Sequence, residues 1–282
     1  MIKQYCLFLA VIVSIITHPC LAQERTIAIT IDDLPFVGTT HNNPGNLRRE
    51  EERFLKIMQT LIDHKVPATG FVVAGTIEKD QWQLLEQFHN AGFVIGNHTF
   101  SHANLNRTDA NKYMEDIARA DEILTPLMLS RPKYFRYPYL AEGVGETKSK
   151  VRDFLISNDY VVAPVTIDSK DFKFNEQLLA IHWRQRNQYL NSIKQRYLNF
   201  IWNQTLKAEK KAKNGATTQI LLIHANLLNS HFLGDVIQMY KDKGYRFVSL
   251  DEALSNNQKS LLPSIPSVEA LSSESLTVEK SS

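Results

Sequence analysis

The sequence predicts an α/β protein, a distorted (β/α)7-type barrel of parallel strands with outer helices. Three features lead there. Apolar runs of strand length alternate with longer segments of helical pattern, and such alternation implies parallel strands covered by helices. Pro67, Gly92 and Gly244 stand at the joints, as turn chemistry requires. Five strands each end in a titratable residue. Parallel β/α folds assemble sites at that end, because the loops past the strand C-termini converge on one mouth. About seven strand–helix units fit an open or distorted barrel better than a short doubly wound sheet.

In chain order, the first segment reads MIKQYCLFLAVIVSIITHPCLAQE. Lys3 supplies a positive n-region, Cys6 to Ile16 an apolar h-region, and Cys20-Leu21-Ala22 the small residues a signal peptidase inspects. The apolar run falls short of the roughly 20 residues a membrane span needs. Residues 1–22 are therefore expected to be a signal peptide, and the mature chain to be periplasmic or secreted with no membrane anchor. Residues 23–254 form the folded domain. Its strands are expected at Thr26–Ile31, Ala68–Ala74, Phe93–Gly96, Lys133–Phe135, Tyr160–Ile167, Gln219–Ile223 and Arg246–Val248. The helices between them are expected at Leu47–His64, Asp80–Asn90, Asp109–Met128, Thr147–Ser157, Glu176–Lys213 and His231–Lys243. The long Glu176–Lys213 segment carries Trp183, Tyr189, Tyr197 and Trp202, read as an amphipathic face packed on the barrel. From 255 to 282, nine of 28 residues are serine and none is aromatic. Too little apolar surface is present to offset the ordering entropy, so a disordered tail is expected.

Lys and Arg number 32 against 30 Asp and Glu, a formal charge of +2. That balance argues against a nucleic-acid partner, which calls for a basic stripe. Both cysteines, Cys6 and Cys20, lie inside the signal segment. The mature chain then has neither disulfide nor thiolate, and any metal site must be built from His, Asp and Glu.

Asp32-Asp33 follows IAITI, His98 follows FVIGN, Arg136 follows KYF, Asp168 and Asp171 follow VVAPVTI, and His224 follows ILLI. His98 and His102, four apart, are expected on one face of a helical turn, where both imidazoles reach one cation. Thr99 stands where H-E-x-x-H metalloproteases need glutamate, which excludes that class. The aspartate pair can supply the third ligand. A cation would hold one carboxylate ionised and leave its neighbour to act on a water.

On these motifs the chain resembles the polysaccharide deacetylases of carbohydrate esterase family 4, over roughly Thr26 to Leu254. TIDDLP is similar to the first family motif, HTFSH to the second, FRYPY to the third, DSKDF to the fourth and LIH to the fifth, in the family's order. The resemblance implies a divalent metal, zinc or else cobalt or another ion, on Asp33, His98 and His102. It implies that Asp32 is the catalytic base, oriented by Arg136, and that His224 is the general acid, tuned by Asp171. It further implies that Tyr139 offers its backbone N–H to an oxyanion and that Phe172 and Leu222 line a pocket for an acetyl methyl. The expected partner is a polysaccharide such as peptidoglycan or another N-acetylglucosamine polymer, and the expected reaction is N-deacetylation. Removal of O-acetyl groups, or glycan binding without cleavage, are the alternatives. Leu34 replaces the usual glycine, Phe172 the usual tryptophan, and Leu140-Ala141-Glu142-Gly143 alters the loop after FRYPY. Glu142 is thereby a candidate substrate contact.

Overall fold

The computed structural model describes residues 24–36, 43–78, 81–212 and 218–261. The expected signal segment lies outside them, as does the tail beyond Leu261. Eight parallel strands form one curled sheet in the order β5-β4-β3-β2-β1-β7-β6, with β8 paired to β1. In the chain they are β1 (Arg25–Leu34), β2 (Ala68–Val72), β3 (Val94–Asn97), β4 (Lys133–Phe135), β5 (Tyr160–Val162), β6 (Ile167–Asp168), β7 (Gln219–His224) and β8 (Tyr245–Phe247). Helices α1 (Pro44–His64), α2 (Trp82–Asn90), α3 (Ala110–Leu124), α4 (Gly145–Ser157), α5 (Asp171–Ala180), α6 (Arg186–Lys211), α7 (Leu227–Asp242) and α8 (Leu250–Leu261) surround it. The expected distorted barrel is present, as a sheet curled part-way round.

β1 is the central strand. It pairs with β7 from Ile27 to Asp32, with β8 over Arg25–Ile27 and with β2 from Ile29 onward. Since β7 takes one edge of β1, β8 and β2 share the other end to end. Covered on both faces, β1 is buried along nearly its whole length, which accounts for its unbroken apolar run. Leu34 is buried against Gly70, where an added Cβ would fall 2.2 Å from Leu34 Cδ1. The glycine on β2 is what makes room for this leucine.

Two expected elements divide in two. The single strand Tyr160–Ile167 is β5 paired with β4 and β6 paired with β7. Between them Pro164, which lacks an N–H and cannot continue a ladder, lets the chain cross from one sheet edge to the other. The single helix Glu176–Lys213 is α5, starting earlier at Asp171, and α6, with a turn at Ile181–Gln185. Arg186 holds that turn by donating to the carbonyls of Ile181 (3.0 Å) and Leu179 (3.1 Å). Helix α8 runs to Leu261, past the boundary at Ser255, where composition alone suggests disorder. Ser249 caps it, accepting from Glu252 N at 3.1 Å, and Asp251 and Glu252 in its first turn favour the positive helix end. Of the four aromatics expected to pack on the barrel, Tyr197 is fully buried with its ring 5.3 Å from that of Phe174 and Trp202 is half-buried against the core, but Trp183, in the turn, and Tyr189 are exposed.

Candidate active site

Successive strand residues point to opposite faces, so Asp32 and Asp33 should not share one pocket. They do because β1 breaks register between Ile31 and Leu34, and Asp33 adopts φ 59°. An irregularity of this kind re-aims a side chain at a strand end, and aspartate tolerates the left-handed region better than most residues.

The histidine pair is not on a helical turn. His98 to His102 form a non-helical loop after β3, with Thr99 at φ 66° and His102 at φ 57°. Asn97 fastens it, accepting from Thr99 N (2.7 Å) while its amide donates to Ile117 O and to the Tyr160 hydroxyl. Asp116 on α3 accepts from the Ser101 N–H and hydroxyl. The His98 Nδ1–H donates to the carbonyl of Arg136 (2.7 Å), which leaves Nε2 as a lone pair facing inward. His98 Nε2 and His102 Nε2 stand 3.4 and 3.1 Å from Asp33 Oδ1. The three donor atoms lie within 4.8 Å of one another. Burial alone opposes ionisation of Asp33, yet the His102 and His98 imidazoles that face it, with the His224 charge beyond, hold its carboxyl below the ordinary range.

Behind this trio Arg136, 1% exposed, straddles both oxygens of Asp32 at 3.4 Å through Nη1. Its remaining N–H groups donate to Ala163 O (2.8 Å), Thr30 Oγ1 (3.1 Å) and Pro164 O (3.5 Å), and its guanidinium lies 4.7 Å over the Phe71 ring. The break between β5 and β6 supplies two of those carbonyls. Burial lowers the Arg136 pKa, and Asp32 opposes the shift.

On the other flank, His224 at the end of β7 places Nδ1 2.7 Å from Asp171 Oδ1 and Nε2 3.9 Å from Asp33 Oδ2. Burial lowers the His224 pKa, but the Asp171 charge and hydrogen bond, with Asp33 and Asp32 beyond, push it up to about 10. The imidazole is therefore protonated at neutral pH in the metal-free protein. The ring of Phe172 meets that of His224 edge-on at 6.3 Å, and Tyr139, at φ 58°, lays its ring 4.6 Å from His102.

A cavity of about 360 Å³ gathers Asp32, Asp33, His98, His102, Leu222 and His224, with Tyr139 and Phe172 among its more exposed walls. Arg136 and Asp171 reach it through Asp32 and His224. Asp168 lines it too, paired with Lys170 (2.5 Å). Glu142 does not line it; its carboxylate pairs with Lys148 at 2.7 Å.

Residues 22–155 match the family model described as polysaccharide deacetylase. That segment belongs to the polysaccharide deacetylase family. A peptidoglycan-N-acetylglucosamine deacetylase of Bacillus cereus is 30% identical over 150 residues, covering 53% of this chain and 47% of the relative. A peptidoglycan-N-acetylmuramic acid deacetylase of Bacillus subtilis is 26% identical over 210 residues, covering 73% and 68%. The crystal structure of a peptidoglycan N-acetylglucosamine deacetylase superposes with a TM-score of 0.56 at 24% identity, over 82% of this chain and 89% of that one. The chain spans about half or less of the first curated relatives it matches. The family match stops before Asp171 and His224; the fold carries His224 to the same cavity, with Asp171 behind it. Among the described residues no helix is long and apolar enough to cross a membrane.

Sequence reasoning missed the residues that hold the deacetylase-like groups in place: Thr30 against Arg136, Asn97 and Asp116 on the histidine loop, and Asn226, Asn229 and Tyr197 around Asp171. Only Asn97 carried a signal, standing directly before His98 at a strand end. The others are ordinary polar residues until the fold gives them partners.

Proposed function

We propose that this protein is an exported, metal-dependent hydrolase that removes N-acetyl groups from a polysaccharide of N-acetylglucosamine or N-acetylmuramic acid units, with peptidoglycan as its polymer. One observation carries the reading: Asp33, His98 and His102 converge in a cavity flanked by two separately anchored groups, Asp32 with Arg136 and His224 with Asp171. The names of the relatives support the substrate class. Export rests on the signal-like composition of residues 1–22.

The donor set fits a divalent cation. Asp33 Oδ1 is buried without a hydrogen-bond partner and faces two imidazole nitrogens. A two-nitrogen, one-oxygen set suits zinc, with cobalt an alternative. When bound, the cation supplies Lewis acidity toward the acetyl carbonyl and makes a water acidic enough to attack. Asp32, fixed by Arg136, takes the proton from that water as its oxygen bonds to the carbonyl carbon. The backbone N–H of Tyr139 steadies the resulting oxyanion. His224 then gives its Nε2 proton to the sugar nitrogen as the C–N bond breaks, releasing acetate and a free amine. Phe172 and Leu222 enclose the acetyl methyl.

The test is acetate release from N-acetylated peptidoglycan and chitin oligomers by metal-stripped protein with zinc or cobalt restored. Metal-dependent release, absent in Asp32→Asn, is expected. No release from protein carrying one equivalent of metal would overturn N-deacetylation and leave ester cleavage or binding alone.

A further inference from the structure

We propose that Tyr197 of α6 and Asn229 of α7 are positioning residues that fix Asp171 and, through it, the imidazole of His224. The proposal rests on the role of His224 given above. Asp171 is fully buried, and five donors fix it. Its Oδ2 accepts from His224 N (2.7 Å), Asn226 Nδ2 (2.9 Å) and Asn229 Nδ2 (2.5 Å), and its Oδ1 from Phe172 N (2.8 Å) and His224 Nδ1 (2.7 Å). Asn229 commits both amide hydrogens to this site, because Nδ2 also donates to the His224 carbonyl at 2.9 Å. Flipped, the same amide would set its oxygen against a carboxylate and a carbonyl.

The other end of the amide is held by the Tyr197 hydroxyl, which donates to Asn229 Oδ1 at 2.8 Å. Its ring is fully buried and packs on Phe174 at 5.3 Å. Packing therefore places the ring, and the hydroxyl is left to orient Asn229. Burial keeps that phenol protonated, so it always has a hydrogen to give. The line Tyr197–Asn229–Asp171–His224 thus joins α6, which the family match does not reach, to the atom that delivers the proton. Without the hydroxyl, Asn229 Oδ1 is a buried acceptor with no donor, and the amide that donates to Asp171 and to the His224 carbonyl loses the contact that braces it.

A positioning role separates from a structural one by leaving group. An amine must be protonated as it leaves; an aryl oxide need not be. Tyr197→Phe should lower kcat on N-acetylglucosamine oligomers about tenfold, in the range found when an outer hydrogen-bond partner is removed. KM should hold, and aryl acetate hydrolysis should be unchanged. Asn229→Ala should show the same split. In the proton NMR spectrum, the downfield His224 Nδ1 resonance, assigned by its absence in His224→Gln, should move in Tyr197→Phe. An unmoved resonance, a full amide rate, or equal losses on amide and ester would each overturn the proposal. If the wild-type protein releases no acetate, the deacetylase reading fails by itself, and the resonance alone decides the positioning role.

Discussion

Replacing Arg136 by methionine tests the innermost part of the site. The change keeps much of the apolar stem and removes every donor. Asp32, 3% exposed, then loses the guanidinium that straddles its two oxygens at 3.4 Å. Leaving one partner of a buried pair uncompensated costs about 3–5 kcal/mol. The carbonyl of Ala163 and the hydroxyl of Thr30 also lose a donor, but these penalties overlap with the first and do not simply add. A loss of about 4 kcal/mol is a large part of the 5–15 kcal/mol available to a typical domain. Urea denaturation of the metal-free protein, followed by tryptophan fluorescence, measures it. Asp32→Asn in the same background should restore part of the stability, because it removes the stranded charge. A cost under about 1 kcal/mol, the worth of an exposed pair, would refute the claim that this pair is dry and structurally required.

Zinc added to metal-stripped protein should bind at one equivalent and raise Tm, since it binds the folded chain preferentially; Asp33→Ala should abolish the shift, as calorimetry and thermal melts would show. The His224 imidazole, followed by NMR in the metal-free protein, should titrate near 10, and Asp171→Asn should bring it down. Because the folded value lies above the unfolded value of about 6.5, the stability His224 contributes is full below that pH and is lost as pH rises through about 10. Urea midpoints across that window should fall in the wild-type protein and fall less in Asp171→Asn. Gly70→Ala should destabilise the fold by about 1–3 kcal/mol through overpacking, since its Cβ would lie 2.2 Å from Leu34 Cδ1. Leu34→Ala should rescue it.

The barrel and the five groups at the strand ends were legible because each depends on a short contiguous signal. An apolar strand followed at once by Asp, His or Arg puts that side chain at the mouth whatever the rest of the chain does. The histidine pair was legible as a pair but not as a loop. Its geometry depends on left-handed backbone at Thr99 and His102, which neither residue type advertises. The turn between α5 and α6 was equally hidden, since no Gly or Pro lies between 176 and 213 and the break is held by Arg186. The split of Tyr160–Ile167, by contrast, was written in Pro164. Beyond His224, the partners of Asp171 could not be read: Asn226 and Asn229 matter only because α7 brings them onto its carboxylate, and Tyr197 because α6 sets its hydroxyl on Asn229.

The sheet's opening and the placement of Asp32 have one cause. β5 and β6 stand at opposite ends of the strand order, so the chain between them must leave the ladder, and the carbonyls of Ala163 and Pro164 are left without sheet partners. Ala163 is buried and its carbonyl needs a donor, while the buried Arg136 guanidinium has five N–H groups to satisfy. Arg136 meets both needs by donating to Ala163 O and Pro164 O. Its Nη1 is then turned toward β1, where it meets Asp32 at the point at which the register of that strand breaks. A closed barrel would have satisfied those carbonyls within the sheet and left the guanidinium only Asp32 and Thr30 as partners. The open seam is thus what allows a charged side chain to sit beneath the site and hold Asp32 in place.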